Sequence, residues 1–117
     1  TYGQHILVRQ RLHSGIWKGL FDFPSVDLDT APDLDAVIGR WIEERALGAA
    51  VQLEKASTEL VHILSHRRVY ATFVELKLSK KIKPLDAERW ILIAELPSLG
   101  VSRLVDRYIR EHSSLLY

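Results

Sequence analysis

The stretch Asp33-Leu34-Asp35-Ala36-Val37-Ile38-Gly39-Arg40-Trp41-Ile42-Glu43-Glu44-Arg45-Ala46-Leu47-Gly48 decides the fold class. Leu34, Val37, Ile38, Trp41 and Ile42 recur at i, i+3, i+4, i+7 and i+8, which puts them on one stripe of an α-helix. Thr30 or Ala31 stands near its start, Pro32 suits the first turn, and Asp33 complements the helix dipole there. Gly48 is the expected stop. Outside this stretch the pattern changes to β. Residues 5–12 read as a strand with Ile6 and Val8 on one face, and residues 19–23 as a short strand closed by Pro24. Residues 27–32 form a polar connector.

Downstream, residues 59–64 and 69–78 are β-prone runs separated by Ser65, His66, Arg67 and Arg68, which predicts an antiparallel hairpin. In the second run Tyr70, Thr72, Val74, Leu76 and Leu78 share one face, and Val69, Ala71 and Phe73 share the other. Apolar members on both faces predict a central strand covered on both sides. Residues 80–84 make a basic turn and residues 88–93 a last short strand carrying Trp90. Residues 102–112 read as a second helix, with Val101, Leu104, Val105, Tyr108 and Ile109 at helical spacing. The predicted order β-β-α-β-β-β-α is that of an α+β domain, a mixed sheet flanked by two helices.

At 117 residues the chain is one domain long. The absence of cysteine excludes a disulfide framework, a thiol nucleophile and any cysteine-held metal or iron–sulfur site in this chain. No apolar run approaches the ~18 residues of a membrane span. The net charge of +1 hides an uneven distribution. Residues 27–59 hold eight acids against three bases, whereas residues 62–83 hold six bases against one acid. The first segment repels phosphate and the second attracts it.

Three stretches resemble a known family. Residues 13–24, His-Ser-Gly-Ile-Trp-Lys-Gly-Leu-Phe-Asp-Phe-Pro, are similar to the GLW-x-GLW-x-FP segment of the C-terminal domains of MutY-type adenine DNA glycosylases. Residues 62–68, His-Ile-Leu-Ser-His-Arg-Arg, resemble that family's H-T-F-S-H loop and the basic residue after it. Residues 90–97, Trp-Ile-Leu-Ile-Ala-Glu-Leu-Pro, resemble the segment ahead of its last helix. Order and spacing agree along nearly the whole chain. Two departures stand out: Ser25 and Val26 replace the usual Gly-Gly, and Leu64 replaces the loop aromatic. A leucine can wedge between bases but cannot stack as a ring does.

The resemblance implies that residues 1–117 are one Nudix-like, 8-oxoguanine-recognition domain. It implies a larger intracellular parent, acting at the nucleoid, whose N-terminal domain holds the catalytic carboxylates and a 4Fe-4S cluster. No cofactor is expected in this chain. The implied partners are double-stranded DNA with 8-oxoguanine opposite adenine, and the parent's own catalytic domain. Leu64, Ser65, His66, Arg67 and Arg68 then form the reading tip: a wedge, two base readers and a phosphate clamp. Unlike guanine, 8-oxoguanine presents an N7–H donor, which a Ser65 hydroxyl accepts. His66 probes the groove face of the lesion pair. Lys77, Lys80, Lys81 and Lys83 are candidate phosphate contacts.

Bland readings stand beside these. The tip can be an ordinary polar hairpin end, although it has no Gly, Asn, Asp or Pro to ease a turn. Ser65 next to His66 lacks a partner acid for acyl transfer, and His62 with His66 is too few ligands for a metal. Trp17, Phe21, Phe23 and Trp90 read as packing residues and Lys18 as an exposed lysine.

Two other functions stay open: a Nudix pyrophosphohydrolase with a degenerate box, and a Nudix-fold protein-interaction module. The hydrolase needs carboxylates converging on a divalent cation from one helix. The nearest segment is Arg40-Trp41-Ile42-Glu43-Glu44. Its paired acids come one position early, Trp follows the Arg, and no Gly-x5-Glu precedes it.

Overall fold

The computed structural model describes residues 1–12, 19–28, 33–63 and 67–111. Among these residues seven strands and two α-helices follow in order: β1 (His5–Gln10), β2 (Phe21–Asp22), α1 (Leu34–Glu44), β3 (Val51–Ala56), β4 (Leu60–Ile63), β5 (Arg68–Ala71), β6 (Val74–Leu78), β7 (Glu88–Leu92) and α2 (Arg103–Glu111). A 3-10 helix, Ile93–Ser98, leads from β7 towards α2.

Strand β1 is central. It pairs antiparallel with β2 through Arg9↔Asp22 and Gln10↔Phe21, and with β7 from His5↔Leu92 to Arg9↔Glu88. Parallel bridges, Tyr2↔Leu78 and Phe21↔Val101, tie in the neighbouring segments, so the assembled sheet is mixed. The alternation of β1 sends its side chains into two cores. Ile6 and Val8 meet Ile91, Leu96, Val105 and Ile109 beneath α2. Leu7 meets Leu47, Leu78 and Ile82, joined by Trp41 and Ile42 of α1. The two helices therefore cover opposite faces of one sheet, the expected α+β arrangement. Each fully buried aliphatic side chain contributes about 1.5–3 kcal/mol by leaving water.

Both ends of α1 differ from expectation. Asp33 is the N-cap itself, its carboxylate accepting from the Ala36 N–H at 3.4 Å; Thr30, Ala31 and Pro32 lie outside the described residues. The helix ends at Glu44, before Gly48. Ala46 turns the chain in the left-handed region, at φ 53°. Its N–H donates to the Glu43 carbonyl and the Leu47 N–H to the Ile42 carbonyl, both at 3.1 Å. That is a Schellman closure, with Leu47 and Ile42 making its apolar contact in the second core. An alanine thus fills the place the pattern assigned to a glycine.

The hairpin needs a larger correction. Residues 69–78 are two strands, not one. Strand β5 pairs with β4 from Leu60↔Ala71 to Ile63↔Arg68, whereas β6 pairs with β3, a strand absent from the predicted order. Together β3–β4 and β5–β6 form one long antiparallel ribbon, interrupted opposite Thr72 and Phe73. At the interruption Ser57 N–H donates to the Phe73 carbonyl at 2.8 Å, and Phe73 N–H to the Ser57 hydroxyl at 2.9 Å. The Phe73 ring turns inward and stacks on Tyr108 of α2, centroids 4.1 Å apart and 11° from parallel. The Tyr108 hydroxyl donates to Glu75, and burial first, then that contact, raises its pKa well above the ordinary tyrosine value. The core takes the aromatic ring, and the regular ladder breaks there.

Helix α2 begins at Arg103, one residue after the expected start. Ser102, almost wholly buried, accepts from the Val105 N–H at 3.4 Å through its hydroxyl.

Candidate nucleic-acid interface

The ribbon carries the described cations of the predicted site at its two ends. Arg67 and Arg68 are exposed where the tip joins β5. Neither forms an ion pair among the described residues. Arg68 stands opposite Ile63 in the ladder. Lys77 is exposed near the ribbon's base, opposite Gln52 of β3. Lys80, Lys81 and Lys83 are exposed in the loop beyond it. The structure therefore separates Arg67 and Arg68 from the lysines instead of gathering one cluster. At ~3.3 Å per residue, the stretch between Arg68 and Lys77 spans up to about 30 Å. Leu64, Ser65 and His66, the predicted base readers, lie outside the described residues, as do Trp17 and Lys18.

The central, doubly covered strand expected of residues 69–78 is overturned at its tip end. Paired residues of an antiparallel ladder share a face. Leu60 with Ala71 and His62 with Val69 face the body, and Leu60 is buried. Val61 with Tyr70, and Ile63 with Arg68, face outward; Tyr70 is 59% and Ile63 72% exposed. Sequence reasoning missed this surface because alternation shows two faces without showing which one meets the protein. On the inner side, Arg107 of α2 donates from Nη1 to the Val61 carbonyl at 2.7 Å, fastening the ribbon to the helix. Of the four aromatics expected to pack, the three described residues do so: Phe21 and Phe23 line the first core. Trp90 lines the second, its indole N–H donating to the Ile82 carbonyl at 2.9 Å.

The acids are arranged differently from a cation site. In α1, Trp41 and Ile42 pack into the second core while Asp35, Glu43 and Glu44 are exposed. Glu88, at the start of β7, is engaged by Arg45 at 2.7 and 2.6 Å and by the Leu85 N–H at 2.9 Å. Burial opposes its ionisation, but these hydrogen bonds outweigh burial and lower its pKa. Among the described residues no group of three or more His, Cys, Asp or Glu is placed to hold a metal ion. The residues described in α1 thus do not fit the divalent cation of pyrophosphohydrolase chemistry. An iron–sulfur cluster has no ligands here either, since the chain has no cysteine. A shallow open hollow of about 260 Å³ between β3 and β6 has Lys77 as its one charged lining residue. No helix among the described residues is long and apolar enough to cross a membrane.

The fold and these features define an α+β domain with a basic, partly apolar ribbon set on a two-helix sheet. The chain belongs to the NUDIX domain family, whose profile matches residues 1–111. Among solved structures it is similar to RenU, a Nudix hydrolase from M. smegmatis. The TM-score is 0.56 at 15% identity, over 85% of this chain and 66% of that one. At that identity the likeness concerns the fold. No curated protein matches the sequence.

Proposed function

We propose that this domain recognises DNA and breaks no bond itself, as the 8-oxoguanine-reading C-terminal domain of a MutY-type adenine glycosylase. The observation that carries the reading is the ribbon, which ends in exposed Arg67 and Arg68, neither ion-paired among the described residues, beside the segment that resembles the family's lesion-reading loop. Exposed cations bind the phosphate backbone, and base discrimination belongs to the residues next to them in sequence, Ser65 and His66. The arrangement of α1 supports the non-catalytic part, because Trp41 and Ile42 are used in packing and, among the described residues, no third ligand joins Glu43 and Glu44. The reading places residues 1–117 as one domain of a longer repair enzyme and Ser65 and His66 as its base readers.

A second reading, a Nudix pyrophosphohydrolase, is favoured by membership of the NUDIX domain family, whose fold RenU, a Nudix hydrolase, shares. In it Glu43 and Glu44 are the metal-binding acids. One experiment separates the two. The 117-residue chain is titrated against duplexes carrying adenine opposite 8-oxoguanine or opposite guanine, and assayed with Mg²⁺ and nucleoside triphosphates. The proposed function expects tighter binding to the 8-oxoguanine duplex, and loss of that preference in Ser65→Ala/His66→Ala. One or two base-edge hydrogen bonds are worth about 1–3 kcal/mol, roughly fivefold to 150-fold. Equal binding to both duplexes, or Mg²⁺-dependent release of a nucleoside monophosphate abolished by Glu43→Gln/Glu44→Gln, overturns it.

A further inference from the structure

We infer that the outward face of the β4–β5 ribbon is a second nucleic-acid surface, on which Tyr70 stacks against an unstacked DNA base while Arg68 holds the neighbouring phosphate. This rests on the nucleic-acid part of the function proposed above and not on its preference for 8-oxoguanine.

Val61, Ile63 and Tyr70 put an aliphatic pair and an aromatic ring on one face of a two-stranded ribbon, all three exposed. Soluble domains do bear scattered apolar residues, but these three are neighbours by register: Val61 lies opposite Tyr70, and Ile63 is the next outward residue along β4. Arg68 shares the face with Ile63, and Arg67 precedes it. The occupant follows from charge. A covering protein surface would leave an arginine to be paired, whereas a DNA strand supplies an anion beside every base. A tyrosine ring accepts any base, so the surface is indifferent to sequence and complements a discriminating tip. The ribbon's inner side is already committed, through buried Leu60 and the bond from Arg107 to the Val61 carbonyl, so the outer face is presented in a fixed orientation.

The test uses a fluorescein-labelled DNA of about 15 nucleotides without 8-oxoguanine, single-stranded and as a fully paired duplex. Anisotropy titration with the 117-residue chain is expected to show tighter binding to the single strand. Tyr70→Ala should weaken that binding by roughly 5- to 150-fold, the range for one lost base–aromatic stack, while Tyr70→Phe keeps it. Because Tyr70 is exposed, its melting temperature should match wild type; if it does not, Ile63→Ser, at a still more exposed position, serves as the second variant. Unchanged single-strand affinity in the variant that retains its melting temperature overturns the inference. So does a wild-type dimer in sedimentation that Tyr70→Ala dissolves, which would assign the face to a second copy. Loss of the 8-oxoguanine preference with Tyr70 dependence intact removes the lesion reading alone and leaves this surface standing.

Discussion

The guanidinium of Arg45 grips both carboxylate oxygens of Glu88, at 2.7 and 2.6 Å, and so joins the end of α1 to the start of β7 across 43 residues. Both side chains are largely buried, 11% and 3% exposed. The Arg45 guanidinium also lies 5.1 Å from the Trp41 ring centroid. The pair thereby fixes the helix that a hydrolase would use for metal to the central sheet.

Glu88→Gln should be among the more damaging single changes. It leaves a buried guanidinium without its counter-charge, which costs about 3 kcal/mol. Replacing both partners by apolar residues, as in Arg45→Met/Glu88→Leu, should restore most of the loss. The pH dependence follows from the lowered pKa of Glu88. Its contribution is fully present above the unfolded-state value of about 4.3, and is lost as pH falls through the lower folded-state value. The gap in unfolding free energy between wild type and Glu88→Gln should be constant near neutral pH and shrink in acid. A gap that widens in acid would show the sign to be wrong.

Ala46→Gly should stabilise the protein. Ala46 holds φ 53° in the Schellman closure of α1, a conformation that glycine adopts without a Cβ penalty. The gain is up to about 1 kcal/mol, partly offset by the greater freedom of glycine in the unfolded chain. Denaturant midpoints measure it. A midpoint lowered by the substitution would mean that the turn is not left-handed at Ala46 in solution.

Lys80→Ala/Lys81→Ala should weaken DNA binding to a similar degree on every duplex and flatten its salt dependence. Both lysines are exposed in the loop after β6. Each phosphate contact contributes a slope of about −0.9 in log K against log salt, so losing both flattens the slope by up to about 1.8. Titration at several salt concentrations gives the slope. An unaltered slope places the loop away from the DNA and leaves Arg67 and Arg68 as the ribbon's phosphate contacts.

Periodicity alone established the helix of Leu34, Val37, Ile38, Trp41 and Ile42, the β1 face of Ile6 and Val8, and the helix of Leu104, Val105, Tyr108 and Ile109. In the helices one face is apolar, and burial of that face needs no knowledge of its partner; in β1 the apolar run extends to Leu7, on the other face. The β4–β5 hairpin was legible for the same reason, and the absence of cysteine excluded whole classes of chemistry. The order and spacing of three short stretches pointed to the Nudix-like fold.

Tertiary structure decided what depends on a distant partner. Strand β3 is exposed along most of its length, and its short alternation of Val51 and Leu53 with Gln52 and Glu54 breaks at Lys55; it is a strand because β6 satisfies its backbone. The break at Thr72 and Phe73 exists because the core beneath α2 takes the Phe73 ring against Tyr108, which no local propensity records. Tyr70 and Leu78 belong to the same run in the sequence and the same predicted face, yet one lies in water and the other in the core. Alternation sorts residues into two faces; only the packing of β6 against β3, Tyr2 and Ile82, and the projection of β5 beyond that packing, determines which of them is covered.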